Sequence, residues 1–141
     1  GFVAEPENIN IELLNTFIEE GLIPVVAPMG IDSQGQIYNI NADTAAGTIA
    51  NEINAERLLL MTDVPGVNDK NGNLISRLTI AEAEELIQNE TITGGMIPKI
   101  RTCISAIQGG VKGVVIIDGR KPHAVLHELF SSTGAGTLII Q

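Results

Sequence analysis

The spacing of apolar residues along the chain changes several times, and each change marks an element. Ile11, Leu14, Phe17 and Ile18 recur at helical intervals, behind Asn10 and before Gly21, and predict a first helix. Leu22–Pro28 is a continuous apolar run of strand length and reads as a buried strand, whose two prolines leave it few ladder bonds. Asp32–Gly35 reads as a turn and Gln36–Asn39 as a short returning strand. Ala46, Ile49, Ala50 and Ile53 then line one face of a helix over Ala42–Ala55. Arg57–Thr62 is the next strand, and Asp63–Asn73, with Pro65-Gly66 and Asn71-Gly72, is a loop. Thr79 and Glu82 have capping-box spacing and open a helix that runs to about Asn89. Thr91–Gly95 is a joint. Pro98 suits the first turn of a further helix, which Gly109-Gly110 ends. Gly113–Asp118 reads as a buried strand, His123–Phe130 as a short helix and Thr137–Ile140 as a last strand.

Strands alternating with helices predict an α/β fold: a mostly parallel sheet with helices on both faces, in one domain over residues 1–141. Hydrophobic residues make up 44% of the 141, too many for a disordered chain and enough for a sizeable core. No run approaches the 18 or so apolar residues of a membrane span. The single cysteine, Cys103, excludes an internal disulfide and reads as a small core residue among Ile100, Ile104 and Ile107. A net charge of −9 and 3% aromatic residues argue against nucleic acid, since neither counterion release nor base stacking has the side chains it needs. The chain opens on Gly1-Phe2-Val3, without Met or a basic leader, and is expected to be part of something longer.

In open α/β sheets, ligands bind beyond the carboxyl ends of the strands. That rule singles out Asn39–Asp43, Asp63–Asn68, Asp118–Lys121 and the Gly94-Gly95 joint. Asn39 and Asn41, two apart on an extended segment, present two amides to one side and can hold a carboxylate or acyl amide. Equally, Asn41 can cap the following helix, with Asp43 answering its dipole. A strand ending in Thr62-Asp63 before a Pro-Gly turn can wrap a base or ribose, or be an ordinary strand–turn. Gly94-Gly95 before a helix exposes backbone N–H groups to an anion. Lys99 lies in the first turn of that helix, where a cation opposes the dipole. It makes sense there beside a bound phosphate, or as a solvated side chain. Neither a Walker A loop nor a G-x-G-x-x-G is present. His123 and His127 lie one turn apart without a third metal ligand, so no metal site is expected. Glu82, Glu84 and Glu85 read as a solvated helix face.

Four ordered segments carry a resemblance: Gly21–Ala50 with NINAD, Leu58–Val67 with TDVPGV, Ile92–Ile100 with GGMIPK, and Ile116–Ile139 with DGRKPHAVLHELF. Together they resemble the C-terminal half of the acetylglutamate kinases in the amino-acid kinase family. The resemblance implies ATP-dependent phosphorylation of the γ-carboxylate of N-acetyl-L-glutamate, with Mg²⁺ bound through the phosphates. It implies catalytic roles for Lys99, which stabilises the transition state, and Asp43, which organises lysines. Asn39, with its neighbour Asn41, falls on the substrate side. Asp63, Val64, Pro65, Gly66, Val67 and Asn68, and Thr91, Ile92 and Thr93, fall on the loops around the ATP adenosine. Glu128 and Gly134 match the pair that holds an L-arginine effector in feedback-inhibited members.

The resemblance further implies a homo-oligomer, dimeric or hexameric, and contact with a PII signalling protein in photosynthetic lineages. The expected setting is the cytoplasm, or the plastid stroma, since 21 Ile and 11 Asn suit an AT-rich coding sequence. The second catalytic lysine, the glycine-rich phosphate contacts and the substrate arginine belong to the family's N-terminal half. The 141 residues alone are therefore expected to be inactive as a kinase. Glutamate 5-kinase, aspartokinase, uridylate kinase and carbamate kinase are the rival kinases. A non-catalytic nucleotide- or arginine-binding module is the rival of another class.

Overall fold

The structure is a computed structural model that describes residues 2–141. Helix α1 (Ile11–Glu19) precedes two short strands, β1 (Met29–Ile31) and β2 (Ile37–Asn39). Then come α2 (Ala42–Glu52), β3 (Arg57–Thr62), β4 (Arg77–Thr79), α3 (Ile80–Gln88), α4 (Met96–Gln108), β5 (Gly113–Asp118), α5 (Ala124–Phe130) and β6 (Thr137–Ile140). β1 and β2 form an antiparallel ribbon, and the other four strands form one sheet in the order β3-β5-β6-β4. β3 runs parallel to β5, with Thr62 opposite Asp118, and β4 runs parallel to β6. β5 and β6 are antiparallel. Two of the three pairings are therefore parallel, as an α/β chain requires.

β5 is buried at all six positions, which is why its sequence reads as an unbroken apolar run rather than an alternation. The two faces of the sheet collect different partners. Leu58, Leu60, Val114, Ile116, Leu78 and Ile139 pack under Ala50 of α2, Ala83 of α3 and Ile100, Ile104 and Ile107 of α4. Leu59, Val115, Ile117 and Leu138 turn to the opposite face, which α5 covers through Ala124 and Val125. Helices thus lie on both faces. The capping box is present, with Thr79 Oγ1 accepting from the Glu82 N–H while Glu82 returns a carboxylate oxygen to the Thr79 N–H.

The structure corrects one expectation outright. Leu22–Pro28 is not a buried strand but exposed coil, with Ile23 88% and Val25 96% exposed. A strand needs a neighbour for its N–H and C=O groups, and no strand of the described residues offers one to this stretch. Pro24 and Pro28 also bring no N–H of their own. Pairing begins one residue later, at Met29 in β1. α1 forms where expected and is capped by Asn10, but none of its residues is buried. β4 was not anticipated. Its three residues are too few for an alternation to show, and it exists because β6 holds it. Among the described residues, no helix is long and apolar enough to cross a membrane.

Candidate functional site

Two connections bring the chemistry to one rim of the sheet. α4 has 13 residues, so it is about 20 Å long. Gly109–Lys112 joins its far end to the start of β5, a six-residue strand of about 20 Å. Running back along that strand, α4 must begin at the carboxyl end of β5. By the same reasoning α2, joined to the start of β3 by Ile53–Glu56, begins at the carboxyl end of β3. Asp43 in the first turn of α2 and Lys99 in the first turn of α4 therefore meet, although 56 residues separate them. Lys99 Nζ donates to Asp43 Oδ2 at 2.6 Å.

The pair is half-hidden, with side chains 24% exposed for Lys99 and 26% for Asp43. An ammonium has three donors. One is used on Asp43, which fixes the position of the charge, and the others remain for a ligand. No side chain caps α4 at Gly95, and Gly94 and Gly95 have open space where a Cβ would stand. An anion can approach this helix end closely, where the dipole favours it. Asn39, at the end of β2, is exposed. Asn41 caps α2, its side-chain oxygen accepting from the Asp43 and Thr44 N–H groups at 3.0 and 3.1 Å. That oxygen is committed to the helix.

The 63–68 loop divides into an open part and a buried part. Asp63 is exposed and accepts from Thr62 Oγ1; Val64 and Pro65 are half-buried. Val67 belongs to the core, and its N–H donates to Thr137 Oγ1 at 2.8 Å. Thr137 Oγ1 in turn donates to the Ile75 carbonyl at 2.6 Å. Gly66, with φ +148°, lies where a Cβ would collide with Thr137 Oγ1 and Leu74, so this turn tolerates only glycine. Asn68 bridges to Leu74. In the second loop Thr91 is held on Asn89, Ile92 is in the core and Thr93 is exposed. Only Asp63, Val64, Pro65, Asn68, Thr91 and Thr93 of these loops can therefore offer side chains to a ligand.

Glu128 lies on the other side of the sheet, on α5. Its buried carboxylate accepts from the Ala135 N–H at 2.7 Å and lies 3.6 Å from an Arg57 guanidinium nitrogen. Gly134, at φ +70°, stands where a Cβ would press on Glu128 Oε2 at 2.9 Å. The sequence pointed to Glu128 and Gly134 but not to Arg57, whose reach to Glu128 depends on α5 packing on β5, the strand beside β3. Thr137 was missed for the same kind of reason, since its partners lie 62 and 70 residues away. His123 adopts a left-handed conformation before α5. Among the described residues no group of three or more His, Cys, Asp or Glu side chains is placed to hold a metal ion.

A model of the "Amino acid kinase family" matches residues 1–118. The acetylglutamate kinase of Rhodopseudomonas palustris strain BisB18 is 58% identical over 99% of this chain and 47% of its own length. The chain thus spans about half the length of the curated relatives it matches. Among solved structures, N-acetylglutamate synthase from Neisseria gonorrhoeae, complexed with coenzyme A and L-arginine, superposes with a TM-score of 0.93. It is 26% identical, over 99% of this chain and 32% of that one. Carbamate kinase from Giardia lamblia bound to AMP-PNP has a TM-score of 0.71 at 20% identity, over 98% of this chain and 46% of that one, a likeness of fold.

Proposed function

The chain belongs to the amino acid kinase family, and on that premise we propose that it is the nucleotide-side half of an acetylglutamate kinase, which transfers the γ-phosphoryl group of ATP to the γ-carboxylate of N-acetyl-L-glutamate. The observation that carries this reading is the 2.6 Å contact of Lys99 with Asp43 at two helix N-termini on one rim. The 58% identity to acetylglutamate kinases supports it. In the step, a carboxylate oxygen bonds to the γ-phosphorus and the bond to the β-phosphate oxygen breaks, releasing ADP. The acceptor is already ionised at neutral pH, so no base is required. What the site must supply is alignment and cancellation of charge.

Lys99 supplies positive charge at the transferring group, and the open end of α4 adds N–H donors. Asp43 fixes the ammonium by a charge-assisted bond. Mg²⁺ carried in by the nucleotide would supply further neutralisation of phosphate charge; no carboxylate cluster of the described residues would hold it. Asn39 is assigned to the acceptor. Asp63, Val64, Pro65, Asn68, Thr91 and Thr93 are assigned to the nucleoside end.

The test is a hydroxylamine trap for the acyl phosphate, run on the protein that carries this chain. Acetylglutamate and ATP give the hydroxamate, and Lys99→Met lowers kcat by about a hundredfold or more. Because the pair is partly exposed, breaking it costs stability only about 1 kcal/mol or less, so the loss reports chemistry. Turnover unchanged in Lys99→Met rejects the reading. A second reading, a non-phosphorylating module that binds arginine at Glu128, is favoured by the likeness to a synthase complexed with L-arginine. Binding of arginine with no hydroxamate formed selects it.

A further inference from the structure

Asp118–Lys121, the remaining strand-end segment, has no part in the function as stated so far. Asp118 is the last residue of β5, opposite Thr62, and only 4% exposed. It holds Arg120 in three ways: Oδ1 accepts from the Arg120 backbone N–H at 3.0 Å and from Nε at 2.9 Å, and Oδ2 accepts from Nη2 at 3.0 Å. The Gly119 N–H donates to the Thr62 carbonyl at 2.8 Å, which ties this turn to the strand that leads into Asp63. The Arg120 side chain is nonetheless 67% exposed. A buried carboxylate thus fixes the root of a guanidinium whose outer edge is open, at the carboxyl end of β3 and β5 where α2 and α4 begin. The chain has only 8 Lys and Arg against 17 Asp and Glu, and Arg120-Lys121 stands at this rim. The Arg120 bonds hold the Asp118 carboxyl down at about 2, and Asp118 first, then Asp63 by its charge, raise Arg120.

We infer that Arg120 contacts the phosphate chain of the nucleotide and that Asp118 is its positioning residue. The inference rests on the nucleotide reading of this rim and deepens it. A guanidinium braced along one edge keeps donors on the other, in the planar arrangement that suits phosphate oxygens. Asp63, close by, shares the field of Arg120 until the anion arrives.

The experiment compares wild type with Arg120→Ala, Arg120→Lys, Asp118→Asn and Lys121→Ala in the protein that carries this chain. It measures titration with ATP, inorganic triphosphate and adenosine, together with KM for each substrate. Arg120→Ala is expected to weaken ATP and triphosphate binding about tenfold or more, to leave adenosine unchanged, and to raise KM for ATP but not for acetylglutamate. Arg120→Lys recovers part of the loss, Asp118→Asn falls between, and Lys121→Ala changes binding less than twofold. Wild-type ATP affinity in folded Arg120→Ala, or an equal loss for adenosine, overturns the inference and leaves the kinase reading intact. Wild type that binds no ATP overturns both.

Discussion

Cys103 lies one helical turn beyond Lys99, completely buried in the core beneath α4. Burial, and after it the charge of Asp43, pushes its thiol up to about 12. A thiol reagent at pH 8 is expected to leave the folded protein untouched and to titrate one cysteine once the chain is unfolded. Above pH 9, the unfolded chain ionises this thiol while the fold holds it neutral. The stability that Cys103 contributes is therefore whole below pH 9 and declines as the pH climbs towards 12. A denaturation midpoint measured across that range, against Cys103→Ala, isolates the decline. At this scale, legibility follows distance along the chain. Asn41 as a cap and Cys103 as core follow from their immediate neighbours. The oddity of Lys99, a cation in a first turn, is visible in the sequence, but that Asp43 answers it is a matter of helix placement. Arg57 beneath Glu128 left no local trace at all.

Thr137 shows how one element fixes another. Its hydroxyl links β6 to the Val67 N–H and the Ile75 carbonyl, both on the segment between β3 and β4. Thr137→Val keeps the shape but leaves a buried donor and a carbonyl without this partner, at a cost of about 1–3 kcal/mol. We expect thermal unfolding to move down by several degrees, and nucleotide affinity to fall with it as the 63–68 turn loosens. Calorimetry with and without ATP checks both. Elements that state their own reason are readable from sequence: β5 by its unbroken apolar run, α3 by its capping box, α2 by its alanine face. β4 and Leu22–Pro28 were not, for complementary reasons. Three residues become a strand because β6 is there, and seven strand-like residues do not become one because no strand of the described residues lies beside them.

Over the whole molecule, order of packing declines from β5 outward. The sheet between α2–α4 and α5 encloses Val114, Val115, Ile116 and Ile117 with no exposure. The amino-terminal third carries apolar side chains in the open, and α1 buries none of its residues. Hydrogen exchange should reflect this gradient. Amides of α1 are expected to exchange orders of magnitude faster than those of β5, whose release requires global opening. In the same spirit, Val25→Ser changes a side chain that is 96% exposed, and should change the unfolding free energy from denaturant titration by no more than about 0.5 kcal/mol. Equal protection in α1 and β5 would contradict this account.

β3 begins at Arg57, the counter-ion of Glu128, and hands over directly to Asp63 at the rim proposed for the nucleotide. Five residues of extended backbone separate the two, a span of about 20 Å from Cα to Cα, and an extended backbone has little slack. An amino acid seated at one end cannot touch a nucleotide at the other. Within the described residues, β3 is the shortest stretch of chain that joins the two positions, and β5 braces it along its whole length.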